Sequence, residues 1–390
     1  MKKKIAVLTG SRSEYGLLKP ILKKILVSQQ LELNLIVTGM HLSFEHGHTV
    51  DEIEKDGFPI RSSVDMLLVG DSPAVTAKSI GIGMIGMTQT LTEIKPDLLM
   101  VLGDRSEALV GALSAAIMQI PVTHIHGGEL TRGCIDDSLR HCITKLSHLH
   151  FAPTLKSAER ILAMGEEPWR VHVVGAPGLD SIIGMSFLSR EIIFKRFNLD
   201  INKKLILVVY HPETIGEHDH YKEMKIVLEA VKSLNEQAVI VYPNSDAGYS
   251  AVIRAINEYK EHAQFYWYPS LSQQDYLNLM KESSLMIGNS SSGIIEAPSF
   301  YIPVINIGQR QLERERALNI IDVSYDYEAI VTAMHKAESD RFIRSAKKSV
   351  NPYGNGNASI KIINILESIK TYSKFLKKAW HYDAAYEYEK

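Results

Sequence analysis

What most constrains this chain is a unit that recurs along it: a short continuous apolar run, a turn of Gly, Ser, Thr or Asp, then apolar residues at three-and-four spacing. Uninterrupted apolar runs of four or five residues suit strands buried on both faces, and strands alternating with helices imply parallel sheets covered by helices. The first unit is Ile5-Ala6-Val7-Leu8, the turn Thr9-Gly10-Ser11-Arg12-Ser13-Glu14-Tyr15-Gly16, then Leu17, Leu18, Ile21, Leu22, Ile25 and Leu26 on one helix face. Further buried strands are expected at 33–37, 98–102, 122–125, 149–151 and 171–174. A second series follows at 205–209, 238–242, 265–268, 285–287 and 304–307, with helices at 222–234, 252–259 and 276–281. Between the two series, Gly175-Ala176-Pro177-Gly178 and a polar helix with Arg190, Glu191, Lys195 and Arg196 read as a linker. The expected class is therefore α/β, with two doubly wound domains, residues 1–180 and 181–358, facing a central cleft. A C-terminal helix within 359–379 would pack back on the first domain, ahead of a polar, aromatic tail over 380–390. The carboxyl ends of both strand sets would surround the cleft, where such sheets bind ligands.

Lys plus Arg total 43 against 45 Asp plus Glu, a net charge of −2, which argues against nucleic acid or a membrane surface as partner. The two cysteines, Cys134 and Cys142, allow no disulfide framework and no four-cysteine zinc site, a usage typical of a reducing compartment. Met1-Lys2-Lys3-Lys4 precedes an apolar run too short for a signal peptide, and no run reaches the roughly 18 residues of a membrane span. A soluble, cytoplasmic protein is expected.

Gly81-Ile82-Gly83-Met84-Ile85-Gly86 matches the dinucleotide fingerprint by letter, but it lies inside the apolar stretch 75–94 instead of between a strand and a helix. It reads as small residues on a packed helix, and no nicotinamide cofactor is expected. A better phosphate site is Gly288-Asn289-Ser290-Ser291-Ser292-Gly293, set between the strand 285–287 and the helical Ile294-Ile295-Glu296-Ala297. There backbone N–H groups, serine hydroxyls and a helix N-terminus would meet a diphosphate, and Glu296 could accept from ribose hydroxyls, although a serine cap without ligand has the same pattern. Arg12 after the first strand, and Arg310 in Gly308-Gln309-Arg310-Gln311, offer planar forks for the diphosphate. His211 in Val209-Tyr210-His211-Pro212-Glu213-Thr214 stands just past a strand and could donate to a phosphate or sugar oxygen. The turn Tyr242-Pro243-Asn244-Ser245-Asp246-Ala247-Gly248 is another polar strand end.

In the first domain, Leu102-Gly103-Asp104-Arg105, His124-Ile125-His126-Gly127-Gly128-Glu129 and Asp136-Asp137-Ser138-Leu139-Arg140-His141 follow successive strands. Carboxylates gathered at strand ends suggest acid–base chemistry, because like charges and reduced solvation spread their pKa values apart. An acidic helix start accounts for Asp136-Asp137 equally well. His124 and His126 lack a third ligand at metal spacing, so no metal is expected.

These motifs in this order resemble the hydrolysing UDP-N-acetylglucosamine 2-epimerases of sialic acid biosynthesis, through nearly the whole chain. The resemblance implies a glycosyltransferase-B-like pair of Rossmann-like domains, no added cofactor, a UDP-sugar as partner, and an even-numbered assembly, homodimer or homotetramer. It places catalytic groups at Asp104, Glu129, Asp136, Asp137 and His211, and substrate contacts at Arg12, Arg105, His126, Asn244, Asp246, Ser290, Ser291, Glu296 and Arg310. The implied reaction eliminates UDP across C1 and C2 of the hexosamine and adds water to the glycal, releasing N-acetylmannosamine. The C2 proton is hardly acidic, so loss of the diphosphate must run ahead, which demands positive charge there; Arg12, Arg310, His211 and the helix N-terminus are the expected sources. Two or three carboxylates then move protons, with Glu129 expected in the hydration half. The alternative reading is a hydrolysing epimerase of 2,4-diacetamido-trideoxy sugars on the legionaminic acid route, whose members look alike at these motifs. A glycosyltransferase, a non-hydrolysing epimerase and a nucleotide-sugar sensor without turnover are the other readings.

Overall fold

The computed structural model describes residues 2–381 except 71, 133 and 245, so Ser245 and the tail beyond 381 lie outside the described residues. Seven parallel strands form one sheet: β1 (Lys3–Thr9), β2 (Leu31–Thr38), β3 (Ile60–Val64), β4 (Leu98–Leu102), β5 (Val122–Ile125), β6 (Leu149–Ala152) and β7 (Val171–Val173), in spatial order 3-2-1-4-5-6-7. Six more form a second: β8 (Leu205–Val209), β9 (Gln237–Val241), β10 (Phe265–Tyr268), β11 (Leu285–Gly288), β12 (Val304–Ile307) and β13 (Ile320–Val323), in order 10-9-8-11-12-13. Both are doubly wound, and the order reverses at β1/β4 in the first and β8/β11 in the second. At such a point successive connections leave in opposite directions and open a crevice at the strands' carboxyl ends.

The central strands are apolar without interruption because helices cover both faces. Ile5, Ala6 and Val7 of β1, and Leu205, Leu207 and Val208 of β8, are solvent-inaccessible, and each larger side chain contributes about 1.5–3 kcal/mol by leaving water. The two strands missing from the sequence expectation, β3 and β13, are edge strands. Arg61, Ser62 and Ser63 in one and Asp322 in the other face outward or lie half-covered, so their apolar signal is broken.

The stretch holding Gly81, Gly83 and Gly86 is the middle of the 22-residue helix Pro73–Ile94. A Cβ on Gly86 would sit 2.7 Å from Val64 Cγ1, so the glycine serves close packing. At the carboxyl end, the helix expected over 359–379 is shorter. It spans Ala358–Ser368 and lies against the helix Arg12–Val27, with Ile362, Ile363 and Leu366 joining the core of the first sheet. Ser368 Oγ donates to the Ile365 carbonyl at 2.7 Å, and after Ile369 and Thr371 turn extended only a 3-10 turn, Tyr372–Leu376, follows. No helix among the described residues is long and apolar enough to cross a membrane.

Candidate active site

Strand-end turns of both sheets line one cavity of about 340 Å³. On the second sheet, β8 and β11 are joined by Asn289. Its Oδ1 accepts the His211 N–H at 2.7 Å, its Nδ2 donates to the His211 carbonyl at 2.8 Å, and Gln311 Nε2 donates to the Asn289 carbonyl at 2.9 Å. Gly288 makes this approach possible: its φ is 141° and a Cβ there would stand 1.9 Å from the Val209 carbonyl oxygen. His211 is thereby fixed at the cavity wall, with Nδ1 accepting the Asn244 N–H at 3.3 Å. Its ring is a neutral donor through Nε2, because burial first, and then Arg310, push its pKa down to about 3. This corrects the expectation that His211 supplies positive charge.

The serine turn is followed by a helix of four residues only, Ser292–Ile295. Pro298 has no N–H to give the Ile294 carbonyl, and the chain passes into the 3-10 turn Ala297–Phe300. A single turn sums few peptide dipoles, so the expected contribution of a helix N-terminus is also withdrawn. Ser290, Ser291 and Glu296 do line the cavity. Burial raises the Glu296 carboxyl to about 7.

On the first sheet the carboxylates are gathered by arginines. Arg140, 2% exposed, sends Nη2 to Asp104 and to Thr131 Oγ1 (2.9 Å), and Nη1 to the His126 carbonyl (3.0 Å) and Glu129 Oε2 (3.4 Å). His126 adopts a left-handed conformation, φ 66°, that presents this carbonyl while its ring Nδ1–H donates to Glu129 Oε2 at 2.8 Å. Arg314, from the segment after β12, meets Glu129 Oε1 at 3.4 Å and donates to the Leu130 carbonyl at 2.9 Å. Burial alone would raise the Glu129 carboxyl, but Arg314, His126 and Arg140 outweigh it and hold it well below the usual carboxylate range. Asp136 has the opposite balance. Burial, then the nearby Asp104 and Asp246, push it up to about 7 against the pull of Arg310, whose Nη2 is 3.4 Å away. Asp246 bridges Arg105 Nη1 (3.2 Å) and Arg310 Nη1 (3.6 Å), tying the two sheets' turns together.

The structure thus brings Asp104, Glu129, Asp136, His126, Arg105, His211, Asn244 and Arg310 around one cavity, with Asp246 in an adjoining cavity. Asp137 is not among them. One residue is about 100° of helical rotation, which turns it away from the cleft; it accepts the Thr131 N–H at 2.7 Å and faces His141 Nε2 at 3.7 Å. Arg12 lines the cavity, but its guanidinium is engaged by Glu52 (2.8 Å) and by Ser270 across the cleft. Arg310, the other arginine expected at the diphosphate, is likewise paired, with Asp136 and Asp246.

Arg140 and Arg314 are the groups that the sequence reading missed. The only available signal was their placement within chemistry-bearing segments, since a single arginine usually reads as solvent-facing. A buried carboxylate beneath the β1 turn was also missed: Glu14 accepts the Gly10 and Ser11 N–H groups at 2.7 and 3.2 Å and shapes that turn. Burial and the neighbouring Glu107 raise its carboxyl to about 8. His124 is a core residue, contacting Thr144 Oγ1 (3.1 Å) and the Gly103 carbonyl (2.7 Å). Among the described residues the group with metal-ligand spacing is His218, His220 and Glu223, behind the His211 turn. Both imidazoles there contact the Glu223 carboxylate, at 2.8 and 2.9 Å.

The architecture recurs in known structures. The crystal structure of UDP-GlcNAc 2-epimerase from Neisseria meningitidis bound to UDP-GlcNAc matches with a TM-score of 0.79, over 93% of this chain and 99% of that one, at 22% identity, a likeness of fold. Among curated sequences, UDP-N,N'-diacetylbacillosamine 2-epimerase (hydrolyzing) of Legionella pneumophila is 38% identical over 379 residues, 97% of this chain and 99% of the relative. GDP/UDP-N,N'-diacetylbacillosamine 2-epimerase (hydrolyzing) of Campylobacter jejuni is 38% identical over 344 residues, 87% and 89% of the two chains. The UDP-N-acetylglucosamine 2-epimerase family profile matches residues 23–367. With that match over most of the chain and relatives aligned nearly end to end, this protein is an enzyme of the UDP-N-acetylglucosamine 2-epimerase family, in its hydrolysing branch.

Proposed function

We propose that the protein converts a UDP-linked 2,4-diacetamido-2,4,6-trideoxyhexose and water into the free C2-inverted sugar and UDP. The names of both relatives at 38% identity support this substrate over UDP-N-acetylglucosamine, the substrate that the motif resemblance alone implies. Within that reading, residues 181–358 hold the nucleotide and residues 1–180 supply the carboxylates. The observation that carries the reaction class is the gathering of Asp104, Glu129 and Asp136 by Arg140, Arg310 and Arg314 at the carboxyl ends of both sheets.

Elimination begins with departure of the diphosphate, whose growing negative charge meets the Arg310 guanidinium and accepts a hydrogen bond from the neutral His211 Nε2–H in a site already organised for it. Asp104, oriented by Arg140, takes the C2 proton as the C1–C2 double bond forms. Water then adds its hydroxyl at C1, and the proton returned to C2 comes from the other face of the ring, which inverts that carbon. Asp136 suits this second transfer because a group near pKa 7 both holds and releases a proton at neutral pH. Glu129 is a positioning residue. Held ionised by two arginines, it is too weak a base and too poor an acid to carry the proton expected of it, and it sets Arg140 and Arg314 in place.

The test is incubation with UDP-2,4-diacetamido-2,4,6-trideoxyglucose and, separately, with UDP-N-acetylglucosamine, followed by proton NMR of the anomeric region. Acceptor-free release of the inverted diacetamido sugar, at higher kcat/KM than for UDP-N-acetylglucosamine, is expected. Preference for UDP-N-acetylglucosamine would overturn the substrate, and turnover only with an added acceptor would overturn the reaction.

A further inference from the structure

Beside the cleft lies a second cavity, of about 500 Å³. Glu45, His46, Arg105, Asp136 and Tyr249 line both, so the two spaces meet at the carboxylate assigned to the second proton transfer. Beyond that junction the wall turns apolar, with Leu67, Val75, Ile80 and Leu139 on it, together with Ile135 and Ile215. The last two are 47% and 50% exposed, so their side chains are open to a ligand in this cavity. A hexose with hydroxyls at C3, C4 and C6 gains little from such a wall, whereas methyl groups gain the free energy of leaving water.

We infer that this cavity is the subsite for the C4–C6 edge of the sugar, taking the C6 methyl and the methyl of the C4 acetamido group against Ile135, Leu139 and Ile215. The inference rests on the substrate class proposed above. With C1 at the diphosphate and C2 between Asp104 and Asp136, the far edge of the ring is the part that reaches past Asp136 into this space. Thr76 and His46 are among the polar side chains on the wall that the acetamido amide can meet. Specificity between a trideoxy sugar and N-acetylglucosamine would then reside in apolar contacts and not in the catalytic carboxylates.

The experiment uses the full chain carrying Ile135→Thr with Ile215→Thr, and each change singly. Both positions are outside the hydrophobic cores, and each change trades the ethyl branch of isoleucine for a hydroxyl. Calorimetric titration with UDP should be unchanged, which also reports an intact nucleotide half. The kcat/KM for the UDP-diacetamido-trideoxy sugar should fall about 10-fold or more, carried by KM, as is usual for apolar pocket contacts. The kcat/KM for UDP-N-acetylglucosamine should stay level or rise. An equal fall for both sugars, or no change for the trideoxy substrate that the wild type turns over, would overturn the subsite alone. A wild type with no turnover of the trideoxy substrate would instead remove the reading on which it rests, and the subsite with it.

Discussion

Replacing Asp136 by Asn should make the protein more stable at pH 8 while nearly abolishing turnover. The side chain is 15% exposed, and its carboxyl is raised from 3.8 to about 7 by burial and by Asp104 and Asp246. A rise of that size means that the native site disfavours the charged form by about 4 kcal/mol. The sign follows from proton linkage. Between pH 3.8 and about 7 the native state binds more protons at Asp136 than the unfolded chain does, so the group lowers stability progressively as pH rises through that window and fully above it. Asparagine keeps the shape, cannot ionise and removes the penalty. Its amide oxygen still accepts from Arg310, and the raised value is already net of that arginine's pull, so no separate loss is subtracted for the pair. The net gain is about 4 kcal/mol at pH 8 and close to zero at pH 4. For a chain this long that is a rise of a few degrees in Tm, read by thermal unfolding of both proteins at the two pH values. In the same series the wild-type activity profile should contain an apparent pKa near 7, and residual activity of the variant should lack it. A variant less stable than wild type at pH 8, or a stability difference independent of pH, would refute the assignment of Asp136 as a carboxyl held protonated near neutrality.

Other perturbations probe neighbouring parts of the same site. Glu129→Gln leaves Arg140 and Arg314 without their shared counter-charge and should lower stability by about 3–5 kcal/mol, the usual cost of breaking a buried pair, in urea unfolding, with turnover falling and no glycal accumulating. Arg310→Ala should weaken UDP by 10-fold or more in calorimetric titration, whereas Asp104→Asn should keep UDP affinity and lose at least about 100-fold in kcat, the order general acid–base groups contribute. Gly288→Ala forces a Cβ toward the Val209 carbonyl at a φ of 141° and should cost more than the ~1–3 kcal/mol of backbone strain alone, seen as a lower Tm together with weaker UDP binding, because His211 is held by the adjacent Asn289.

The parts of the fold that were legible in the sequence are those where a single physical demand dominates. Runs such as Ile5-Ala6-Val7-Leu8 and Leu205-Ile206-Leu207-Val208-Val209 have no polar interruption because parallel central strands have no solvent face. Of the four edge strands, β3 and β13 carry Arg61 and Asp322 where one side meets water and their pattern dissolves into loop, whereas the apolar runs of β7 and β10 stayed legible. Strand-end motifs were legible because carboxylates, glycines and histidines cluster where strands stop. What did not follow was which member of a cluster faces the ligand. Asp136 and Asp137 are chemically identical neighbours, and only helical phase puts one in the cleft and the other on Thr131 and His141. Charge state was equally hidden, since the neutral His211 and the ionised Glu129 owe their states to burial and to arginines distant in sequence.

Loss of the C2 proton to one carboxylate and its return from another are read out together by turnover in deuterated water with NMR of the released sugar. With the Asp136 side chain 15% exposed and open to the cavity, its proton should come from solvent, which puts one deuterium at C2 of the inverted product and none at C1 or C3. Product carrying protium at C2, or a freed sugar with C2 configuration retained, would contradict this pair of proton transfers.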